Sequence, residues 1–111
     1  MAVTIIREYG VESKLDKYNL MVASGRNLNE FRGQTIEIRA YMIVEETTND
    51  GELVKSLKVI SKEGEVIGTR SNTYISGFET YLDFMETDEL ARMKVVPKPT
   101  KAGRTCLTFE P

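Results

Sequence analysis

Histidine and tryptophan are absent from this chain, and cysteine occurs once, as Cys106. Without histidine and with a single thiol, the usual ligands of a zinc site and the usual bases of nucleophilic catalysis are nearly excluded. A lone cysteine forms no internal disulfide, which is typical of a reducing cytoplasm. No apolar run approaches the roughly 20 residues that a bilayer span needs, and no charged-then-apolar leader is present. We therefore expect a cytoplasmic protein without a membrane contact, a metal or another cofactor.

Carboxylates, lysines and tyrosines are the remaining candidates for catalysis, and the spacing of the carboxylates argues against an enzyme. Glu45-Glu46 and Asp88-Glu89 are adjacent pairs on predicted turns or strand edges. General acid–base chemistry instead needs groups that converge on one substrate. A chain of 111 residues is also long enough for only one modest core. The sequence therefore favours a binding protein over an enzyme.

The order of the predicted elements indicates a mainly β protein with one helix inside the series of strands. Alternating side chains, turn residues and one amphipathic repeat give five strands and a helix, in the order Gln34–Glu46, Leu53–Ile60, Glu65–Arg70, helix Asn72–Glu86, Arg92–Val96 and Thr105–Phe109. A five-stranded β-barrel with its helix between strands 3 and 4 is the plan of the OB-fold, a common module for single-stranded nucleic acid. We expect one domain, 1–111, in which 34–110 form the OB-like barrel and 1–33 an N-terminal arm or an extra strand or helix.

Alternation also predicts which strand residues face the core. In the first strand the inward set is Ile36, Ile38, Ala40, Met42 and Val44, and the outward set is Thr35, Glu37, Arg39, Tyr41 and Ile43. A first hairpin loop of either two residues (Asp50-Gly51) or four (Thr48–Gly51) turns Leu57 and Val59 inward. A two-residue loop at Glu63-Gly64 then turns Gly68 inward and Ile67 outward. The predicted single core is Ile36, Ile38, Met42, Leu57, Val59, Phe78, Leu82 and Val95.

The predicted outer face mixes cations with one aromatic and several aliphatic side chains, namely Arg39, Tyr41, Ile43, Lys58, Ile60, Lys62, Ile67 and Thr69. Cations hold phosphates, and flat or apolar groups meet unstacked bases, so Arg39, Tyr41, Lys58 and Lys62 are candidate nucleic-acid contacts. The alternative for the isoleucines is a cover made by the first 30 residues or by a second copy of the chain. Contiguous exposed apolar surface is rare on monomers, which favours that alternative.

Charge is segregated along the chain, although the formal net charge is only −2. Five basic and no acidic residues lie from Arg92 to Arg104, whereas five acidic and no basic residues lie from Ser71 to Glu89. Local potential rather than net charge steers a polyanion, but such runs are also expected of merely solvated surfaces. Two prolines stiffen the basic hairpin, whose Lys98, Lys101 and Arg104 we expect to contact phosphates.

Four segments carry a resemblance to a known family: Gly33–Ile38, Lys62–Val66, Thr69–Ile75 and Lys101–Thr105. Over about residues 33–110 the chain resembles small single-stranded DNA-binding proteins of bacteriophages and of mobile elements of Gram-positive bacteria. The resemblance implies an OB-fold that binds single-stranded DNA with little sequence preference during replication or recombination in a bacterial host. It also implies replication or recombination proteins as partners, and often a homodimer.

A protein-interaction module is the alternative from another functional class. In that case the chain would be, for instance, a phage regulator that docks on a host protein. Its docking surface would be the predicted outer isoleucines, Ile43, Ile60 and Ile67.

Overall fold

β-Strands dominate the structure and form one curled sheet with the shape of a half-barrel. The computed structural model describes residues 3–21, 25–99, 103 and 105–111. In that part of the chain the strands are β1 (Val3–Tyr9), β2 (Arg26–Asn27), β3 (Thr35–Thr47), β4 (Leu53–Ser61), β5 (Val66–Thr69), β6 (Arg92–Pro99) and β7 (Thr105–Glu110). The helices are α1 (Lys14–Met21), α2 (Asn72–Met85) and a 3₁₀ turn, Leu28–Phe31. The mainly β prediction is confirmed, and β3–β7 with α2 match the predicted elements.

The long strand β3 organises the sheet. The strand order is β2-β5-β4-β3-β6-β7, and β1 pairs with β3 outside this path. One edge of β3 pairs with β4, while the other edge is shared by β6, opposite Thr35–Glu37, and β1, opposite Tyr41–Glu46. Among the described residues no ladder joins β5 to β7, so the sheet curls without closing. This arrangement is consistent with a small β-barrel.

The N-terminal segment is integrated into this sheet. β1 adds to the edge of β3, α1 packs against β3 and β4, and β2 pairs in parallel with β5. The segment therefore covers part of the outer sheet face, including Ile60, which packs with Leu20 of α1. No helix of the described ranges has the length and apolar character needed to cross a membrane.

Two apolar clusters lie on opposite faces of β3 and β4. The main cluster, inside the curl, contains Leu57 of β4 together with Phe78 and Leu82 of α2. The second cluster consists of Leu20 of α1 with Ala40, Met42, Val44 and Ile60. Because successive side chains of a strand point to opposite faces, α1 and α2 pack on opposite sides of the β3–β4 layer. The prediction of one core is wrong for Met42, which lies in the second cluster, whereas the other predicted core residues lie in the main cluster.

A bulge at Arg39 inverts the predicted faces in the second half of β3. The register steps from Ile38 opposite Ser61 to Ala40 opposite Ile60, so that two residues of β3 match one of β4. A one-residue slip moves every following side chain to the other face. Beyond the bulge, Tyr41 and Ile43 therefore enter the main cluster, and the residues predicted to face inward there (Ala40, Met42 and Val44) belong to the second cluster with Leu20 of α1.

Both hairpin loops contain an odd number of residues, three each, instead of the two or four predicted. Backbone hydrogen bonds from Thr48 to Glu52 and from Ser61 to Glu65 enclose the loops Asn49–Gly51 and Lys62–Gly64. Each loop ends on a left-handed glycine, with φ 82° at Gly51 and 92° at Gly64, which is the usual closure of a three-residue loop.

The odd second loop changes which residues of β5 share a face with β4. Lys58 pairs with Gly68, and Val59 pairs with Ile67. Gly68 therefore faces outward beside Lys58, and Ile67 is buried in the main cluster. The predicted orientation of both β5 residues is wrong for this reason.

The predicted docking surface for a protein partner does not exist in this fold. Ile43 and Ile67 belong to the main cluster, and Ile60 belongs to the second cluster with Leu20 of α1. All three isoleucines are buried. The prediction that these side chains form a docking surface is therefore wrong.

Candidate nucleic-acid interface

A groove on the outer face of β4 and β5 brings three cations together. It has a volume of about 320 Å³, and Arg26, Lys58 and Arg70 line it together with Glu46 and Gly68. Lys58 comes from β4, Arg70 follows β5, and Arg26 is supplied by β2. We refer to this site as the outer groove.

Lys58 lies along the floor of the outer groove. Its ladder partner is Gly68, where a side-chain Cβ would stand 3.6 Å from the Lys58 Cγ. Burial lowers the pKa of Lys58, the Glu46 carboxylate opposes this shift, and the nearby Arg70 guanidinium adds to it. A partly buried ammonium group beside a second cation is stabilised by an incoming anion. Lys58 and Arg70 can therefore share a phosphate or bind neighbouring phosphates.

Arg26 is partly neutralised by its neighbours. Its guanidinium lies 3.0 Å from a Glu65 carboxylate oxygen and 3.6 Å from one of Glu30, and it stands 4.7 Å above the Phe31 ring. A capping box between Asn27 and Glu30 fixes the turn that carries these groups. Arg26 thus forms a wall of the outer groove, and the two carboxylates offset part of its charge.

A larger cleft of about 460 Å³ at the far end of β4 has the opposite electrostatic character. Glu37, Glu63 and Glu65 line it, and Lys62 is its only lysine or arginine among the described lining residues. Glu65 is paired with Arg26, but Glu37 and Glu63 still outnumber Lys62, and this excess of negative charge repels a phosphate backbone. The cleft places Lys62, a predicted contact, apart from Lys58 and in unfavourable surroundings for DNA.

The prediction that Tyr41 lies on an exposed face and stacks on a base is wrong. Its side chain has 0% exposure, and its hydroxyl donates a hydrogen bond to the backbone carbonyl of Asp88. Its ring packs edge-on against Phe78, with centroids 5.0 Å apart, and lies 6.0 Å from the Tyr9 ring. Burial also raises the pKa of the phenol. A buried, hydrogen-bonded ring cannot stack on a nucleotide base.

Arg39 faces outward as predicted, but its guanidinium is already paired with a carboxylate. Two Arg39 nitrogens lie 3.1 and 3.0 Å from the two carboxylate oxygens of Asp16, which is the bidentate geometry of a strong ion pair. Hydrogen bonding between them lowers the pKa of Asp16 and raises the pKa of Arg39. The pair joins the β3 bulge to α1, so the structure gives Arg39 a structural role.

The basic hairpin is only partly described. Lys98 is exposed on β6 opposite Cys106 of β7, whereas Lys101 and Arg104 lie outside the described residues. Since β4 and β6 flank opposite edges of β3, Lys98 does not share the outer groove with Lys58.

Two of the three cations in the outer groove, Arg26 and Arg70, are not among the contacts predicted from the sequence. Arg70 would follow from the correct loop length, because the odd loop puts the β5 residues of even number on the face of Lys58. Arg26 has no local signal, since its place depends on how the N-terminal segment folds back onto β5.

Comparisons of the chain with protein-family models, curated proteins and solved structures found no match. Within the described ranges, no three His, Cys, Asp or Glu side chains are grouped closely enough to hold a metal ion.

Proposed function

We propose that this protein binds single-stranded DNA with little sequence preference, in the replication or recombination of a phage or mobile element. The observation that carries the proposal is the placement of Lys58 beside Arg70 on an open sheet face, next to a glycine. The two cations hold backbone phosphates, and the absent side chain at Gly68 lets the strand approach the sheet closely.

The order of the elements supports an OB-fold for this function. The series β3, β4, β5, α2, β6, β7 has five strands with the helix between the third and the fourth. In OB-folds the face of the second and third strands binds oligonucleotides. The corresponding strands here are β4 and β5, which carry the outer groove.

Electrostatics should dominate this binding, because the described lining of the outer groove includes no aromatic side chain. Contacts to phosphates release condensed counterions, and the affinity for a single strand falls with a log–log salt slope of about −0.7 per phosphate neutralised. Binding should therefore be steeply salt-dependent and nearly independent of base sequence.

The test is a fluorescence-anisotropy titration of labelled oligo-dT and mixed-sequence strands at two or more salt concentrations. The double variant Lys58→Ala/Arg70→Ala should bind every strand more weakly, and its salt slope should be shallower by about 1.4, which is twice 0.7. Lys62→Ala is the control, because it removes a positive charge from the cleft lined by Glu37, Glu63 and Glu65, outside the outer groove. It should behave like the parent.

Two results would count against the proposal. If the double variant keeps the parent's affinity and slope, the outer groove is not the site. If the parent does not bind single strands at low salt and micromolar concentration, a protein-interaction function becomes the better inference. A separate variant that replaces Lys98, Lys101 and Arg104 with alanine tests the hairpin, where three phosphate contacts would change the slope by about 2.

A further inference from the structure

The outward side of α1 exposes two large apolar side chains next to two cations. Leu15 is 67% exposed and Tyr18 is 58% exposed. They are three residues apart, so they are neighbours on one helix face, and Lys14 and Lys17 are exposed beside them. We call these four residues the α1 face.

The end of α2 also exposes two large apolar side chains, but the charged residues next to them are acidic. Phe84 is 84% exposed and Met85 is 51% exposed. The carboxylates around them are Asp83, Glu86, Asp88 and Glu89, all of which are exposed. We call Phe84, Met85 and these carboxylates the acidic end.

Ion pairs inside the protomer do not cancel either set of charges. Arg7 binds Asp83 through one nitrogen and Asp88 at 3.0 Å through another, which leaves Glu86 and Glu89 to give the acidic end a net negative charge. On the other helix, the charge of Asp16 is paired with Arg39. Lys14 and Lys17 therefore set the sign of the α1 face.

Exposed apolar patches with a charged rim mark interaction sites. Two such patches on one chain, one basic and one acidic, are complementary to each other. Contact between two α1 faces, or between two acidic ends, would instead bring like charges together, which is costly at an interface.

The position of the two patches excludes their contact within one protomer. α1 belongs to the second cluster and α2 to the main cluster, on opposite sides of the β3–β4 layer. We propose that the α1 face of one protomer docks on the acidic end of a second copy. Because the two surfaces differ and lie on opposite sides of the β3–β4 layer, the contact is heterologous and continues from protomer to protomer, as a larger ring or as an open head-to-tail chain.

Such assembly would make binding to a long single strand cooperative, since neighbouring protomers would contact each other along the strand. This consequence rests on the proposed DNA-binding function. The contact itself does not require DNA, so the two proposals can fail separately.

The test measures the mass of the full chain without DNA, by light scattering and sedimentation velocity over a wide concentration range. The parent mass should rise with concentration from the 12.6 kDa of the monomer past two protomers. Lys14→Glu/Lys17→Glu gives a protomer with two acidic patches, and Glu86→Lys/Glu89→Lys gives one with two basic patches. Each variant alone should remain at the monomer mass.

An equimolar mixture of the two variants provides the decisive measurement. Each variant then offers the complement of the other, so the mixture should regain the concentration-dependent mass of the parent. Lys62→Glu/Lys98→Glu and Glu52→Lys/Glu63→Lys are matched controls with the same changes in net charge at exposed positions elsewhere. Both should associate like the parent.

Three results would overturn the proposal. The first is a parent that stays monomeric at every concentration. The second is a mixture that stays monomeric although circular dichroism shows both variants folded. The third is a parent mass that stops at two protomers, since that indicates a closed dimer. Phe84→Ser adds a readout independent of charge reversal, because it removes the apolar contact and should also leave a monomer.

Discussion

Replacing Tyr41 with alanine should lower the free energy of unfolding by about 3–5 kcal/mol, the usual cost of removing a large buried aromatic side chain. The ring is fully buried and packs edge-on against Phe78 at 5.0 Å. Typical domains are stable by about 5–15 kcal/mol, so the variant should lose a large part of its stability. Tyr41→Phe keeps the ring and removes only the hydroxyl that bonds to Asp88, which should cost about 0.5–1.5 kcal/mol.

Urea unfolding followed by circular dichroism at pH 7 measures both variants of Tyr41. The midpoint should fall in the order parent, Tyr41→Phe, Tyr41→Ala, while the m-value stays constant. At concentrations where the protein is folded, neither variant should change the salt slope of DNA binding. A Tyr41→Ala protein that is as stable as the parent and loses affinity for DNA would place the ring on the surface. The β3 bulge would then be refuted as well.

Two further predictions concern stability. Arg39 holds the pKa of Asp16 below its ordinary 3.8. The stabilisation of the fold by this ion pair is therefore complete above pH 3.8 and is lost as the pH falls through the lowered pKa. The difference in urea midpoint between the parent and Asp16→Asn should therefore shrink in acid, whereas the exposed control Asp50→Asn should show little difference at any pH. Gly64→Ala puts a side chain at φ 92° and should cost about 1–2 kcal/mol, whereas the control Gly68→Ala, with ordinary contacts, should cost less.

The positions of the strands β3 to β7 and of α2 could be predicted because alternation, helical repeats and turn residues are local signals. The sheet face on which a strand residue lies depends on whether the number of residues in the preceding bulges and loops is odd or even. A single extra residue therefore moves the following side chains to the other face. Leu57 and Val59 are correctly predicted to face inward only because two inversions cancel, one at the Arg39 bulge and one in the odd loop Asn49–Gly51. The loop Lys62–Gly64 adds a third inversion that nothing cancels, so the prediction fails at β5.

The same parity decides how much of the candidate site could be predicted. Lys58 faces outward as predicted, because the two inversions before β4 cancel each other and the third comes only after β4, in the loop Lys62–Gly64. Arg70 joins Lys58 only when the second loop has an odd length. Arg26 reaches the outer groove through a parallel pairing of β2 with β5, a long-range contact with no local sequence signal.

A net charge of −2 is compatible with binding a polyanion because the outer groove and the acidic end lie on different sides of the β3–β4 layer. Lys58, Arg70 and the α1 lysines belong to the outer side, whereas the carboxylates after Leu82 belong to the side of α2. Layers of secondary structure are separated by about 10 Å, and the Debye length at 0.1 M salt is also about 10 Å. A strand in the outer groove therefore meets the nearby cations at close range, while salt screens most of the repulsion from the acidic end.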